Sequence, residues 1–417
     1  MQQYDYTING ISVSGVKTDQ FKTIQFQCQF VNTLNKDSAP KRALLAYILK
    51  VITADYPTRK IMNLHLQELF ASHLRTGVRK VGNTHIITFF VSMINQEYAI
   101  NNTNILKEMF ATLGSVLYNP LFEEQIFFEE KQALIEYLLE VQSDPMHKAM
   151  IELNEEFYKD DVYGTKSMGS VEAIEALTLQ DIKDAYQEMI AENSIYVNWV
   201  GNIEKSTMDT YIKDTLKPTN QSSKNAFTST PLQVLAHREI VVPKPIKQTK
   251  IILAFASDTT FNTANYYAMI VFNAMFGGHA DSLLFTTVRN KHSLCYQIGS
   301  SFDQYKGSLF VYTGVDTKNI DTVIKLMDEV LLNVKENNFT NEDLALAKKA
   351  IETSLQSSLD SPYSILNQLS KAGFFGKRWN QKEMIKRFND VKKEDVVIAA
   401  NSLKPAITYI VKGEQND

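Results

Sequence analysis

The chain has 417 residues, too many for one ordinary core, so two or more domains are expected. An apolar fraction of 44% and a charged fraction of 22% are those of a folded protein and exclude wholesale disorder. With 43 Lys and Arg against 47 Asp and Glu the net charge is −4, which leaves no basic field for nucleic acid or anionic lipid.

The first residues, MQQYDYTINGISVSG, lack the charged and apolar regions of a signal peptide. No apolar run approaches the roughly 20 residues of a membrane span, so a cytoplasmic location is expected. A strand at Ile24–Thr33 is followed by an apolar helix, Arg42–Thr53, and a strand, His85–Ile94. An amphipathic helix, Ile100–Leu117, and a second helical run, Glu123–Val141, come next. Tyr163-Gly164 then precedes a helical stretch and the strand Ile195–Val200, which closes at Gly201. Residues Pro218–Leu235 are rich in Ser, Thr, Asn and Pro and read as a linker.

Beyond it the order repeats: strand Lys250–Asp258, helix Asn265–Phe276, strands Leu294–Phe302 and Ser308–Val315, helices Ile320–Glu336 and Asn341–Ser358. Phe375-Gly376 precedes a helical stretch and the strand Thr408–Val411, which closes at Gly413. The two glycine intervals are equal, since 201 − 164 = 37 and 413 − 376 = 37. The expectation is therefore duplication of a whole α+β domain, 1–217 and 236–417 joined by 218–235, each with a largely antiparallel sheet packed with helices. Cys28 and Cys295 each sit in an apolar run and are expected to be buried free thiols.

A zinc helix needs two ligands at i and i+4 with a carboxylate base. No two of the seven histidines are four apart. The nearest imitation, His65-Leu-Gln-Glu68-Leu69, ends in Leu, and His73 lies about two helical turns from His65, too far for one ion. No nucleophile elbow, Walker loop or dinucleotide fingerprint occurs. Gly277-Gly278 fits a helix C-cap and turn. Glu129 and Glu136, seven apart, share one face of an amphipathic helix, as a solvated or ion-paired face does. Arg289 ends a helix and Tyr296 opens a strand, a pair that by itself suits a structural contact better than a functional one.

Together these features resemble the pitrilysin/insulinase-type (inverzincin) peptidase family over essentially the whole chain, in its short bacterial, processing-peptidase-like form. That resemblance implies two tandem α+β domains of the processing-peptidase, LuxS-like metalloenzyme type. Catalytic members carry H-x-x-E-H on a helix of the first domain, and here the aligned positions read Ala43, Leu44, Leu45, Ala46 and Tyr47. Ala43 and Tyr47 stand for the two histidines and Ala46 for the general base. Glu129 and Glu136 match the family's later carboxylates, Glu136 being the remaining metal ligand, and Asp144-Pro145 follows as the pattern expects.

The segment FGGHADSLLFTTVRNKHSLCYQIGSSF is similar to the family's Gly-rich turn, S-x-L-F helix and R-x-x-x-x-L-x-Y tract, with Asn290, Ser293 and Cys295 as departures. Arg289 and Tyr296 match the pair that in family members reaches the substrate backbone near the zinc. The resemblance thus implies the zinc-less subunit of a heterodimeric metallopeptidase, binding no metal itself and inactive alone. Its expected partner is a homologous H-x-x-E-H subunit holding the zinc, and its substrate an unstructured peptide held by addition to a sheet edge. The alternatives are a non-enzymatic peptide-binding or scaffold subunit of the same fold and, further off, a homodimeric peptidase with an unusual metal site.

Overall fold

The computed structural model describes residues 1–100, 103–218, 227, 230–232 and 236–414, so the expected linker falls mostly outside the described residues. Strands β1 (Gln2–Ile8) and β2 (Ile11–Lys17) form a hairpin. Its two-residue turn, Asn9-Gly10, has φ of 49° and 82°, the left-handed pair that suits Asn-Gly. β3 (Thr23–Thr33) leads to α1 (Ser38–Leu49) and α2 (Arg59–Glu68). The chain then turns through Phe70 and Ala71, both at positive φ, into β4 (His73–Val81) and β5 (Thr84–Ile94). His73 therefore opens a strand and is not on the helix that carries His65.

α3 (Ile105–Tyr118), α4 (Glu124–Ser143), α5 (Pro145–Phe157), α6 (Val171–Glu175) and α7 (Leu179–Glu192) follow, then β6 (Ser194–Gly201) and α8 (Lys205–Thr215). The second half runs β7 (Arg238–Pro243), β8 (Thr249–Ala256), α9 (Tyr266–Asn273), β9 (Cys295–Asp303) and β10 (Ser308–Val315). It ends with α10 (Ile320–Lys335), α11 (Asn341–Ser357), α12 (Pro362–Phe374), α13 (Gln381–Asp390), α14 (Lys393–Asn401) and β11 (Lys404–Lys412).

One sheet has the order β1-β2-β6-β3-β5-β4, antiparallel except for β2 with β6, and leaves β4 as an edge. The other runs β7-β11-β8-β10-β9, antiparallel except for β7 with β11. Alternation in β3 explains its burial: Ile24, Phe26, Cys28 and Phe30 enter the core with α1 and α3, while Gln25, Gln27 and Gln29 take the opposite face. The fold is the expected α+β class with mostly antiparallel sheets. Both cysteines are free and buried.

The compact units are not the sequential halves. One comprises 1–139, 165–227 and 358–379, the other 140–164, 228–357 and 380–417. The exchanged helices are repeat equivalents: α5 and α12 each have 13 residues and Pro at the start, capped by Asp144 and Ser361. Their positions differ by 362 − 145 = 217 residues. The cause is apolar burial. Ala149, Leu153 and Phe157 of α5 cover Ile252, Ala254 and Tyr409 of the second sheet. Ile365, Leu366 and Leu369 of α12 cover Val16 and Val200 of the first.

Candidate functional site

α1 is held by the residue just before the positions expected to match the motif. Arg42, 1% exposed, donates from Nε to His85 Nδ1 at 2.9 Å and from Nη1 to Asn193 Oδ1 at 2.6 Å. Its Nη2 donates to the carbonyls of Phe30 and His85 at 3.1 and 3.2 Å. With this anchor the helix buries Ala43, Leu44, Leu45 and Ala46 completely, each at 0% exposure.

Tyr47 is half-buried against the same core, and the Lys50 ammonium lies 4.8 Å from its ring centre. Burial, then Tyr137 and Glu130, raises the Tyr47 pKa. Two methyl groups and a protonated phenol cannot replace two imidazoles and a carboxylate base, so the residues present do not fit zinc. Among the described residues no three His, Cys, Asp or Glu side chains converge as a metal cage. Restoring the base alone would force a carboxylate into packed apolar surroundings. Ala46→Glu is expected to lower stability by at least about 3 kcal/mol, read as the shift in urea midpoint.

α4 carries the carboxylates. Thr58 caps α2 by accepting from the Ile61 N–H, and this places Arg59 against α4. Arg59 Nη2 lies 2.8 Å from both Glu129 Oε2 and Glu130 Oε1. Glu129 also accepts from Gln125 Nε2 at 2.8 Å, and Gln125 and then Arg59 hold its carboxyl below the usual range. Glu136 is exposed on the same helix. Burial at Glu130 and the basic partner Arg59 were not legible in the sequence, because nothing there distinguishes Glu130 from the adjacent Glu129. His65, the other metal candidate, is tied at Nε2 to Thr112 Oγ1, 2.8 Å away, and stacks 4.4 Å from Tyr56.

Arg289 and Tyr296 flank one helix–strand junction in the second unit. α9 runs into a wide π-helical turn, Ala274–Gly278, and a second π-helix covers Phe285–Lys291. Such turns recur at functional sites. Gly277-Gly278 is thus the end of that turn and not a C-cap at positive φ. Gly277 is required by close approach, since a Cβ there would stand 2.6 Å from Ser300 Oγ and 2.8 Å from the Ser300 amide nitrogen of β9. Gly277→Ala is expected to cost about 1–3 kcal/mol through overpacking, measured by thermal or urea unfolding.

Ser293 has φ of 54°, the left-handed conformation that glycine supplies elsewhere, and lets the Leu294 N–H reach the Val288 carbonyl at 3.2 Å. The sequence then alternates, with Cys295 buried and Tyr296 84% exposed. The Arg289 guanidinium is exposed and lies 4.4 Å from the ring centre of Phe285. Among the described residues neither the Arg289 guanidinium nor the Tyr296 hydroxyl has a hydrogen-bond or ion-pair partner. Such a pair of free donors can meet a carbonyl oxygen.

A family model described as the peptidase M16 inactive domain matches residues 176–351. A Bacillus subtilis strain 168 protein named as a probable inactive metalloprotease, YmfF, is 26% identical over 97% of this chain and 96% of its own length. The beta subunit of the Saccharomyces cerevisiae mitochondrial-processing peptidase is 18% identical over 69% of this chain and 66% of its length. A conserved Enterococcus faecalis V583 protein of known crystal structure superposes with a TM-score of 0.92 at 24% identity, covering 100% of this chain and 99% of that one. Among the described residues no helix is long and apolar enough to cross a membrane. With its paired α+β sheets and no His or carboxylate at positions 43, 46 and 47, the chain is similar to the peptidase M16 inactive domain, whose family model it matches over residues 176–351.

Proposed function

We propose that this chain is the zinc-less subunit of a heterodimeric metallopeptidase and supplies Arg289 and Tyr296 to a site whose zinc and H-x-x-E-H motif belong to a homologous partner. What carries this is one contrast. The metal half of the site would be replaced by Ala43, Ala46 and Tyr47, whereas the Arg289 and Tyr296 side chains are exposed and, among the described residues, make no hydrogen bond or ion pair. A guanidinium and a phenol can donate to the carbonyl oxygen of a bound peptide. As that oxygen gains charge during attack, those hydrogen bonds strengthen, which is the condition for lowering a barrier.

The metal in the partner would polarise the same carbonyl. Extended peptides would be bound by strand addition and cleaved in the pair, with no turnover by this chain alone. Co-purification with an H-x-x-E-H homologue followed by metal analysis tests the arrangement. The expected result is one zinc per pair and none in the isolated chain. Stoichiometric zinc in the isolated chain would overturn it.

A further inference from the structure

We infer that the first unit holds a separate binding site for a carboxylate-bearing peptide segment, on the sheet face opposite the degenerate motif. The register of β3, β5 and β4 arranges that face in rows. Gln25, Ser92 and His73 form one row, Gln27, Phe90 and Arg75 the next, and Gln29, Thr88 and Gly77 the third. Gln29 of the third row is fully tied. Its Oε1 accepts from Ser370 Oγ of α12 at 2.9 Å and from Asn198 Nδ2 at 3.2 Å, and its Nε2 donates to Thr88 Oγ1 at 3.4 Å. The first two rows, with Thr88 and Gly77 of the third, line a cavity of about 650 Å³, walled by Tyr363 and Asn367 of α12.

Three features of this cavity select its ligand. His73, Arg75 and Arg79 line it and, among the described residues, no carboxylate does, in a chain whose net charge is −4. Arg79 is fixed at the wall by donating to Ser370 Oγ at 2.9 Å, whereas Arg75 is exposed and, among the described residues, unpaired. Gln27 is 4% exposed, yet among the described residues its Oε1 finds no donor, and neither does that of Gln25. Buried carbonyls without donors are unfavourable, so the cavity suits a ligand that brings N–H groups as well as negative charge. An acidic peptide brings both along an extended backbone that can reach Gln25 and Gln27 together, whereas inorganic phosphate carries its charge and its O–H donors on one small ion. Finally, among the described residues a Cβ on Gly77 would meet nothing within 4 Å, and the rings of Phe90 and Tyr363, edge-to-face at 5.5 Å, add apolar surface to the wall.

This site is independent of the roles given to Arg289 and Tyr296, and its test needs no peptidase partner. The full chain is titrated calorimetrically with the pentapeptide acetyl-Ala-Glu-Ala-Glu-Ala-amide, with its Gln-for-Glu counterpart, and with inorganic phosphate. The acidic peptide is expected to bind about tenfold or more tightly than either control, the scale of one charge-assisted hydrogen bond. Arg75→Gln should erase the preference for Glu over Gln. Gly77→Leu, which fills the cavity at a position with ordinary φ, should abolish binding and leave the melting temperature unchanged. Equal binding of the acidic peptide by the parent and by both variants, no binding at all, or phosphate binding as tightly as the peptide would overturn the inference.

Discussion

Arg289→Ala in a complex with an H-x-x-E-H subunit is expected to lower kcat for peptide hydrolysis by about 10²-fold or more, with a smaller change in KM. That is the scale of one oxyanion donor removed from a preorganised site. Loss of general positive charge would act differently, raising KM with kcat largely kept. The fold should be indifferent to the change, because the described contact of Arg289 is with Phe285, and its head is exposed. Tyr296→Phe keeps the ring, at 84% exposure, and removes the hydroxyl alone, so it is expected to reduce kcat in the same direction with unaltered melting. Full activity of the Arg289→Ala complex would remove the proposed role.

The second large effect lies in the anchor beneath the degenerate helix. Arg42→Ala is expected to destabilise the protein by roughly 3–5 kcal/mol, measured by urea unfolding, because it opens a cavity and strips buried acceptors on His85, Asn193 and Phe30 of their donor. The same network makes stability depend on pH. His85 Nδ1 accepts from Arg42, so its proton sits on Nε2 and is donated to the Ser167 carbonyl at 2.7 Å. Burial, and then the neighbouring Arg42 charge, pushes the His85 pKa down from 6.5 to about 4.

The unfolded chain therefore takes up a proton at His85 below pH 6.5, and the folded chain not until about pH 4. The stability from keeping His85 neutral is complete above pH 6.5 and is lost as pH falls between those values, by up to about 3 kcal/mol. His85→Gln, which retains an acceptor and cannot titrate, should flatten this slope. An unchanged slope between pH 7 and pH 4.5 would show that His85 is not its source.

Much of the architecture was legible because burial imposes a period. β3 and β5 alternate, and the amphipathic α10 and α11 start and stop within a few residues of their expected bounds. What stayed hidden was partnership. The apolar stripe of α5 shows that a face is buried but not which sheet buries it, so the exchange with α12 could not be read. β4 was missed because it is an edge strand whose His73, Arg75 and Arg79 face a cavity, which erases the apolar alternation. Arg42 was missed because arginine is ordinarily a surface residue, and only the fold brings four buried acceptors to it. At the site, the absence of an imidazole or carboxylate at Ala43, Ala46 and Tyr47 was plain from side-chain chemistry. The π-helical turns around Arg289 were not, since helical periodicity does not separate an α-turn from a wider one.

Whether this chain completes a partner's active site is decided by a titration. Peptide hydrolysis by a homologous H-x-x-E-H subunit is measured at fixed concentration while this chain is added. The rate should rise and saturate at one chain per partner, with no hydrolysis by this chain alone. A rate unchanged by the added chain, or hydrolysis by this chain without a partner, would contradict it.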